Sequence, residues 1–281
     1  MNTQVLIGAP RLAPLYTRAL LTAWRSGGPL PSTRLARDGV TVDRTHLAGY
    51  TRLCGFDLSD RLPLTYPHVL GFGMQLELMT SKGFPYPLLG LVHLANTFTR
   101  IRPLDAGEQL TLTVGAGEPG EHPRGRTFVL TTSATVDGQE VWIGRSTYLY
   151  RTSSSSGQRR RSEPSDVAGA PMVRWRLAGD AGRRYAEVSG DRNPIHLHPL
   201  TARPFGFRRP IAHGMFTAAR CLAALGPHVP DAARADIEFA APVPLPSTVD
   251  FHCEPDGDGW CFALHGNGGR RHLTGRARPR E

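Results

Sequence analysis

YAEVSGDRNPIHLHPLTARPFGFRRPIAHGM, residues 185–215, decides how this 281-residue chain is read. It holds an acid (Asp191), two histidines (His196 and His213) and a glycine (Gly214) where an apolar helix is expected to start. Pro194 disfavours helical backbone at Asn193, so the chain is expected to turn between Asp191 and His196. Two side chains five positions apart, which a continuous helix would send to different sides, can then converge on one point. The helix start supplies free N–H groups with partial positive charge, and Gly214 has no side chain to block approach. Removing water beside a carbonyl needs a group to move the α-proton, a group to manage the leaving oxygen, and donors for enolate-like charge. The segment contains residues suited to each task.

Working outward, residues 152–170 (TSSSSGQRRRSEPSDVAGA) are rich in Ser, Gly and Arg and read as a solvated linker. They divide the chain into an N-terminal half, 1–151, and a C-terminal half, 171–281. The halves share anchors in the same order. Tyr50 and Gly55 match Tyr185 and Gly190, Gly73-Met74 matches Gly214-Met215, and Arg102-Pro103-Leu104 matches Val243-Pro244-Leu245. An internal duplication accounts for this order. In that alignment Ser189 becomes Cys54, Asp191 becomes Phe56 and His213 becomes Phe72, so the first half has lost the polar positions.

Hydrophobic periodicity predicts the same plan twice. In the C-terminal half a strand (172–177), a helix (181–188) and an irregular stretch (191–210) lead to an apolar helix (213–225). Strands follow at 235–239, 248–254, 260–265 and 272–276. In the N-terminal half, helices at 46–54 and 68–80 precede strands at 88–100, 109–115, 127–136 and 140–150, with a leading amphipathic helix over 10–26. The glycine-rich stretches 115–125 and 256–269 read as hairpin turns. One helix on a curved antiparallel sheet, made twice, is an α+β architecture.

Composition narrows the function classes. A hydrophobic content of 40% and a charged content of 20% suit a soluble globular chain, with no apolar run of membrane-spanning length and no signal-peptide pattern. A cytoplasmic location is expected, in which Cys54, Cys221, Cys253 and Cys261 stay reduced. The net charge of +9 comes almost wholly from arginine, since Lys82 is the single lysine. Its densest clusters lie in the linker and the C-terminal tail without interleaved aromatics, which argues against nucleic-acid binding. Attraction of an anionic, phosphate-bearing substrate carrier is the more modest use. His196-Leu197-His198 has no carboxylate or cysteine cluster to complete a metal site, and the GFG at 71–73 lacks the context of a nucleotide loop.

The ordered residues Ser189-Gly190-Asp191-Arg192-Asn193-Pro194-Ile195-His196, Gly206-Phe207 and Ile211-Ala212-His213-Gly214-Met215 resemble the signature of the MaoC-like, (R)-specific enoyl-CoA hydratase family. That resemblance implies a double hot-dog fold, two sheets each wrapped on a central helix. It also implies a reversible hydration between a trans-2-enoyl thioester and an (R)-3-hydroxyacyl thioester. Asp191 and His196 would be the catalytic pair and Gly214 the oxyanion donor, with Asn193 orienting the loop and Ser189 and His213 in support. No metal or redox cofactor would be used, and the acyl group would arrive on coenzyme A or acyl carrier protein. LPLTYPHVLGFGM, with FPYPLLGLVH after it, resembles the non-catalytic half of two-hot-dog dehydratases, implying that residues 1–151 line an acyl-chain tunnel. A homodimer is possible. The alternatives are a hot-dog thioesterase and a non-catalytic acyl-thioester-binding subunit.

Overall fold

In the computed structural model of the chain, residues 2–22, 25, 27–152, 167 and 170–280 are described. Most of the 152–170 linker lies outside the described residues; of it only Thr152, Val167 and Ala170 are seen, and Val167 is buried. The first part of the chain supplies β1 (Thr3–Val5), α1 (Leu12–Leu21), β2 (Arg34–Val40), α2 (Arg44–Cys54) and α3 (Tyr66–Thr80). It continues with β3 (Val92–Arg100), β4 (Leu110–His122), β5 (Gly125–Val136) and β6 (Gln139–Arg151). The second part supplies β7 (Val173–Leu177), α4 (Ala181–Ser189), the short α5 (Pro199–Ala202) and α6 (Gly214–Leu225). Strands β8 (Ala233–Phe239), β9 (Ser247–Asp256), β10 (Gly259–Gly266) and β11 (Arg271–Pro279) complete it.

The strands form one sheet in the order β1-β2-β4-β5-β6-β3-β8-β11-β10-β9-β7. Read from each end toward the middle, β2-β4-β5-β6-β3 and β7-β9-β10-β11-β8 are the same connection pattern. The two expected sheets are therefore joined edge to edge through antiparallel pairing of β3 with β8, from Ala95 opposite Glu238 to Arg100 opposite Ala233. Each half thereby covers an edge of the other that would otherwise expose unpaired backbone groups. β1 pairs parallel to β2, an exception to the antiparallel expectation.

Both central helices are apolar over most of their circumference, as a helix enclosed by sheet must be. α3 buries Val69, Met74, Leu76, Leu78 and Met79, and α6 buries Met215, Phe216, Ala218, Ala219 and Leu222. Gly71 lets α3 approach β5 closely, because a Cβ there would lie 2.8 Å from Thr132 Cγ2. The matched anchors are structural equivalents. Gly55 and Gly190 both end their helices in the left-handed conformation, and the buried rings of Tyr50 and Tyr185 meet 6.4 Å apart.

Two details of the sequence reading need correction. Gly73 is not the counterpart of Gly214: it lies well inside α3, whereas Gly214 opens α6. Ala212 N–H donates to Val243 O and Leu62 N–H donates to Leu104 O, both at 2.8 Å, so Leu62 matches Ala212. The counterpart of His213-Gly214 thus falls at Pro63–Thr65, and Thr65 bonds Tyr50 (2.7 Å) where His213 packs on Tyr185. A shared Gly-Met pair is too short to set register across a deletion. The first half is much shorter here, since Gly55 to Thr65 is less than half the span from Gly190 to His213. Second, the glycine-rich stretches are mostly strand: residues 115–122 continue β4 and 259–266 form β10, so the turns are confined to 123–124, 257–258 and 267–270.

Candidate active site

The loop after α4 is shaped by its own side chains. Ser189 Oγ donates to Tyr185 O (2.8 Å) and accepts from Asp191 N–H (3.1 Å), fastening the chain as it leaves the helix. Asp191 Oδ1 then accepts from Asn193 N–H (3.1 Å), and Asn193 Oδ1 accepts from Ile195 N–H (3.4 Å). These are the local turns that Asp and Asn favour. Asn193 has φ −56° and ψ 126°, the extended geometry that Pro194 imposes, and a short 3-10 turn over Pro194–His196 brings His196 back toward Asp191.

His196 is buried, and its Nδ1 lies 2.8 Å from Ile211 O. A carbonyl only accepts, so Nδ1 carries the proton and Nε2 is left with a lone pair. His213 is 2% exposed, and its Nε2–H donates to Asp191 O (2.9 Å). Although His213 is the residue before α6, its side chain does not cap that helix; it ties the loop of Asp191 down. The two imidazoles stack with centroids 3.6 Å apart. Ligating atoms of Asp191, His196 and His213 all lie within 4.8 Å of one another.

The electrostatics assign different states to the three groups. Burial opposes ionisation of Asp191, but His213, His196, the Asn193 amide and the Tyr16 hydroxyl outweigh it and hold its carboxyl below the usual range. Burial lowers the pKa of His196 against the opposing pull of Asp191 and its bond to Ile211. His213 is pushed down to about 3, mainly by burial and further by His196. At neutral pH the site holds a carboxylate and two neutral imidazoles. The same trio could be considered for a metal. Nearly parallel stacked rings would place a shared ion well out of both ring planes, however, so the set does not fit a usual imidazole site with in-plane bonds near 2 Å. His198, exposed and accepting from Leu200 N–H, lies outside the trio.

Gly214 starts α6 facing Phe239, and a Cβ there would lie 3.0–3.2 Å from three atoms of that ring. No side chain caps the helix, so its first-turn N–H groups are available to an incoming oxygen. All six residues singled out in sequence (Ser189, Asp191, Asn193, His196, His213 and Gly214) come together here.

Sequence reasoning missed what other elements bring to the site. Tyr16 of α1 donates to Gly190 O (3.1 Å), approaches Asp191 Oδ1 at 3.4 Å and accepts from Arg192 N–H (2.6 Å). His93 of β3 packs on Phe239 (4.9 Å) and on Tyr148 of β6 (4.6 Å), and Tyr148 packs on Phe128 of β5 (5.6 Å). A row of rings thus runs from the α6 start into the N-terminal half. Burial pushes His68 down to about 3 and His93 down to about 4 and raises the Tyr148 pKa, and the charge of Asp191 reaches all three. Phe72 lies against Gly190, 3.7 Å from where a Cβ would stand.

Comparison with known proteins gives the family. Residues 163–269 fit the family model "MaoC like domain". The 3-hydroxyacyl-thioester dehydratase X of Mycobacterium tuberculosis is 34% identical over 252 residues, 89% of this chain and 90% of that protein. The chain belongs to the MaoC-like dehydratase family. It is a hydro-lyase by class. A crystal structure of HtdX from M. tuberculosis superimposes with a TM-score of 0.79 at 33% identity, covering 88% of this chain and 100% of that one. A MaoC-like dehydratase of Phytophthora capsici, at 19% identity, shares the fold with a TM-score of 0.69 over 88% of this chain and 96% of its own. The architecture is the double hot-dog. Among the described residues no helix is long and apolar enough to cross a membrane.

Proposed function

We propose that the chain interconverts a trans-2-enoyl thioester and an (R)-3-hydroxyacyl thioester by adding or removing water. The observation that carries this reading is the convergence of Asp191 and His196, one ionised and one neutral, beside the uncapped start of α6 at Gly214.

In hydration, Asp191 and His196 hold a water over the double bond. His196 Nε2 takes a proton as the water oxygen bonds to Cβ, while Asp191 steadies the imidazolium. Charge collects on the thioester oxygen at the Gly214 N–H, and return of the proton to Cα completes addition of H and OH. Dehydration retraces these steps. Asn193, Ser189 and His213 position the loop. No cofactor enters, because a base, a held water and an anion site supply every part of the addition.

The C-terminal half, 171–281, carries the chemistry. The N-terminal half, 1–151, walls the acyl chain through the ring row of His93, Tyr148 and Phe128. We place this activity in the cytoplasm.

The test is incubation with crotonyl-CoA while following the absorbance of the enoyl thioester. Hydration without free thiol supports the proposal. Release of thiol would point to a thioesterase, and no reaction on any chain length or carrier to a binding subunit. Asp191→Asn and His196→Ala should each lower turnover by about 10²–10⁴; near-normal rates in folded variants would refute the assignment.

A further inference from the structure

The duplicated fold supplies its own control for what its interior requires. Around α6 the buried side chains are apolar, among them Phe216 and Leu222 on the helix and Phe251, Phe262, Leu264 and Leu273 on β9–β11. Apart from the site residues, the buried polar side chains described in this half are Thr217 and His272, each bonded to a backbone carbonyl. The N-terminal half differs. His68 and Gln75 of α3 and Asn96, Thr132 and Ser146 of β3, β5 and β6 are all at most 4% exposed.

These groups satisfy one another only in part. Gln75 Nε2 lies 2.9 Å from Thr132 Oγ1 and 3.3 Å from His68 Nδ1, and Ser146 Oγ donates to Asn96 Oδ1 at 2.6 Å. Two buried atoms of this region have no partner among the described residues, Oε1 of Gln75 and Nε2 of His93. Turning the Gln75 amide only moves the deficit to its nitrogen. Buried polar atoms are costly to leave unpaired. Packing alone gives no reason for the pair, since apolar side chains fill the interior around α6.

His93 puts its unpaired atom near the active site. Its ring packs on Phe239, which abuts Gly214, and the Asp191 charge reaches both His93 and His68. The Asn96 side chain and the Ala95 backbone raise the His93 pKa, as acceptors of its N–H do, so Nε2 is the end with the lone pair. Burial still holds that pKa down at about 4, and the ring is neutral near pH 7. A carboxylate or ketone oxygen only accepts and would meet a lone pair, and a neutral ring attracts no anion. A hydroxyl donates.

We propose that the acyl group this protein acts on carries a hydroxyl beyond C3 that donates to His93 Nε2, so that the N-terminal half selects an oxygenated chain over a plain one. This rests on the thioester reading above and deepens it to the chemistry of the acyl group.

The test compares the longest straight-chain trans-2-enoyl-CoA that the wild type hydrates with the same chain bearing one hydroxyl at each carbon from C5 outward. The wild type is expected to favour one hydroxylated chain at least tenfold in kcat/KM, because a site built to bond a hydroxyl rejects the analogue lacking it. His93→Phe keeps a flat ring between Tyr148 and Phe239 but removes the lone pair, and should bring the preference within twofold. His93→Leu, made in case the larger ring disturbs its neighbours, should do the same. Thr99→Val, on the opposite face of β3 from Asn96 and Phe98, should preserve it.

The proposal is overturned by a wild type that is indifferent to the hydroxyl or favours the plain chain, which would assign the donor at His93 to water. A preference that survives in the folded His93 variants overturns it as well. Calorimetry with hydroxylated trans-2-octenoyl-CoA separates this proposal from the reading beneath it. His93-dependent binding without hydration of any thioester would keep the hydroxyl selection and refute the dehydratase reading. Hydration confined to plain chains would do the reverse.

Discussion

The hydroxyl of Tyr16 stands 3.4 Å from Oδ1 of Asp191, a residue 175 positions away. It also donates to Gly190 O and accepts from Arg192 N–H, so one side chain of α1 grips the backbone on both sides of the acid. Burial and the Asp191 charge raise the Tyr16 pKa, which keeps it a donor.

Tyr16→Phe removes that donor and leaves the ring. The hydrogen bond lowers the Asp191 pKa, so its loss raises that pKa and moves the Asp191 step of the pH–rate profile upward. kcat should fall about tenfold with little change in KM, and stability by about 1–3 kcal/mol. A pH profile superimposable on wild type would show that Tyr16 only packs.

Acid should unfold the protein through its buried histidines. His68 and His213 are lowered to about 3 and His93 to about 4, chiefly by burial. Folded, they stay neutral; unfolded, they bind protons below about 6.5. Their contribution is therefore complete above pH 6.5 and is lost as the pH falls toward 4 and 3. Well below 6.5 each histidine should cost about 1.4 kcal/mol per pH unit. Urea midpoints at several values between pH 7.5 and 4.5 measure this slope. His68→Asn, which keeps an acceptor near Gln75 Nε2, should flatten it by about one histidine's share.

The ring row makes a specificity prediction. Tyr148 is packed between His93 and Phe128, so Tyr148→Ala opens space where the acyl chain is proposed to run. The optimum of kcat/KM across a series of enoyl-CoA chain lengths should move to longer chains. An unshifted optimum with wild-type rates would remove β6 from the acyl wall.

What was legible in sequence follows from the range of the forces involved. The Asp191–His196 turn is built by Ser189, Asn193 and Pro194 within a few residues, and the enclosed helices α3 and α6 show as long, almost uninterrupted apolar stretches. Tyr16 was invisible because its partners lie across the fold, and nothing about a tyrosine on an amphipathic helix marks it as a neighbour of Asp191. β1 and β2 escaped notice because β1 is exposed throughout and β2 carries Arg34, Arg37 and Asp38 in seven residues, which hides alternation. The repeat was visible in its anchors, but its register needed the paired bridges at Leu62–Leu104 and Ala212–Val243.

Gly214→Ala separates the demands of the fold from those of the chemistry. Alanine is a better helix former than glycine by up to about 1 kcal/mol, so the helix itself has no need of glycine here. The new methyl would meet three Phe239 ring atoms at 3.0–3.2 Å, and half-buried Phe239 can shift by the few tenths of an ångström required. Stability should thus change by less than about 1 kcal/mol, while the methyl crowds the helix start where the thioester oxygen is proposed to gain charge. Interactions made mainly in the transition state appear in kcat, so kcat should fall about 10- to 100-fold with a smaller change in KM. Adding Phe239→Leu distinguishes the two causes. It relieves the ring contact but leaves the methyl over the N–H, so the double variant should stay slow. Recovery of the rate would instead place the glycine's role in seating Phe239.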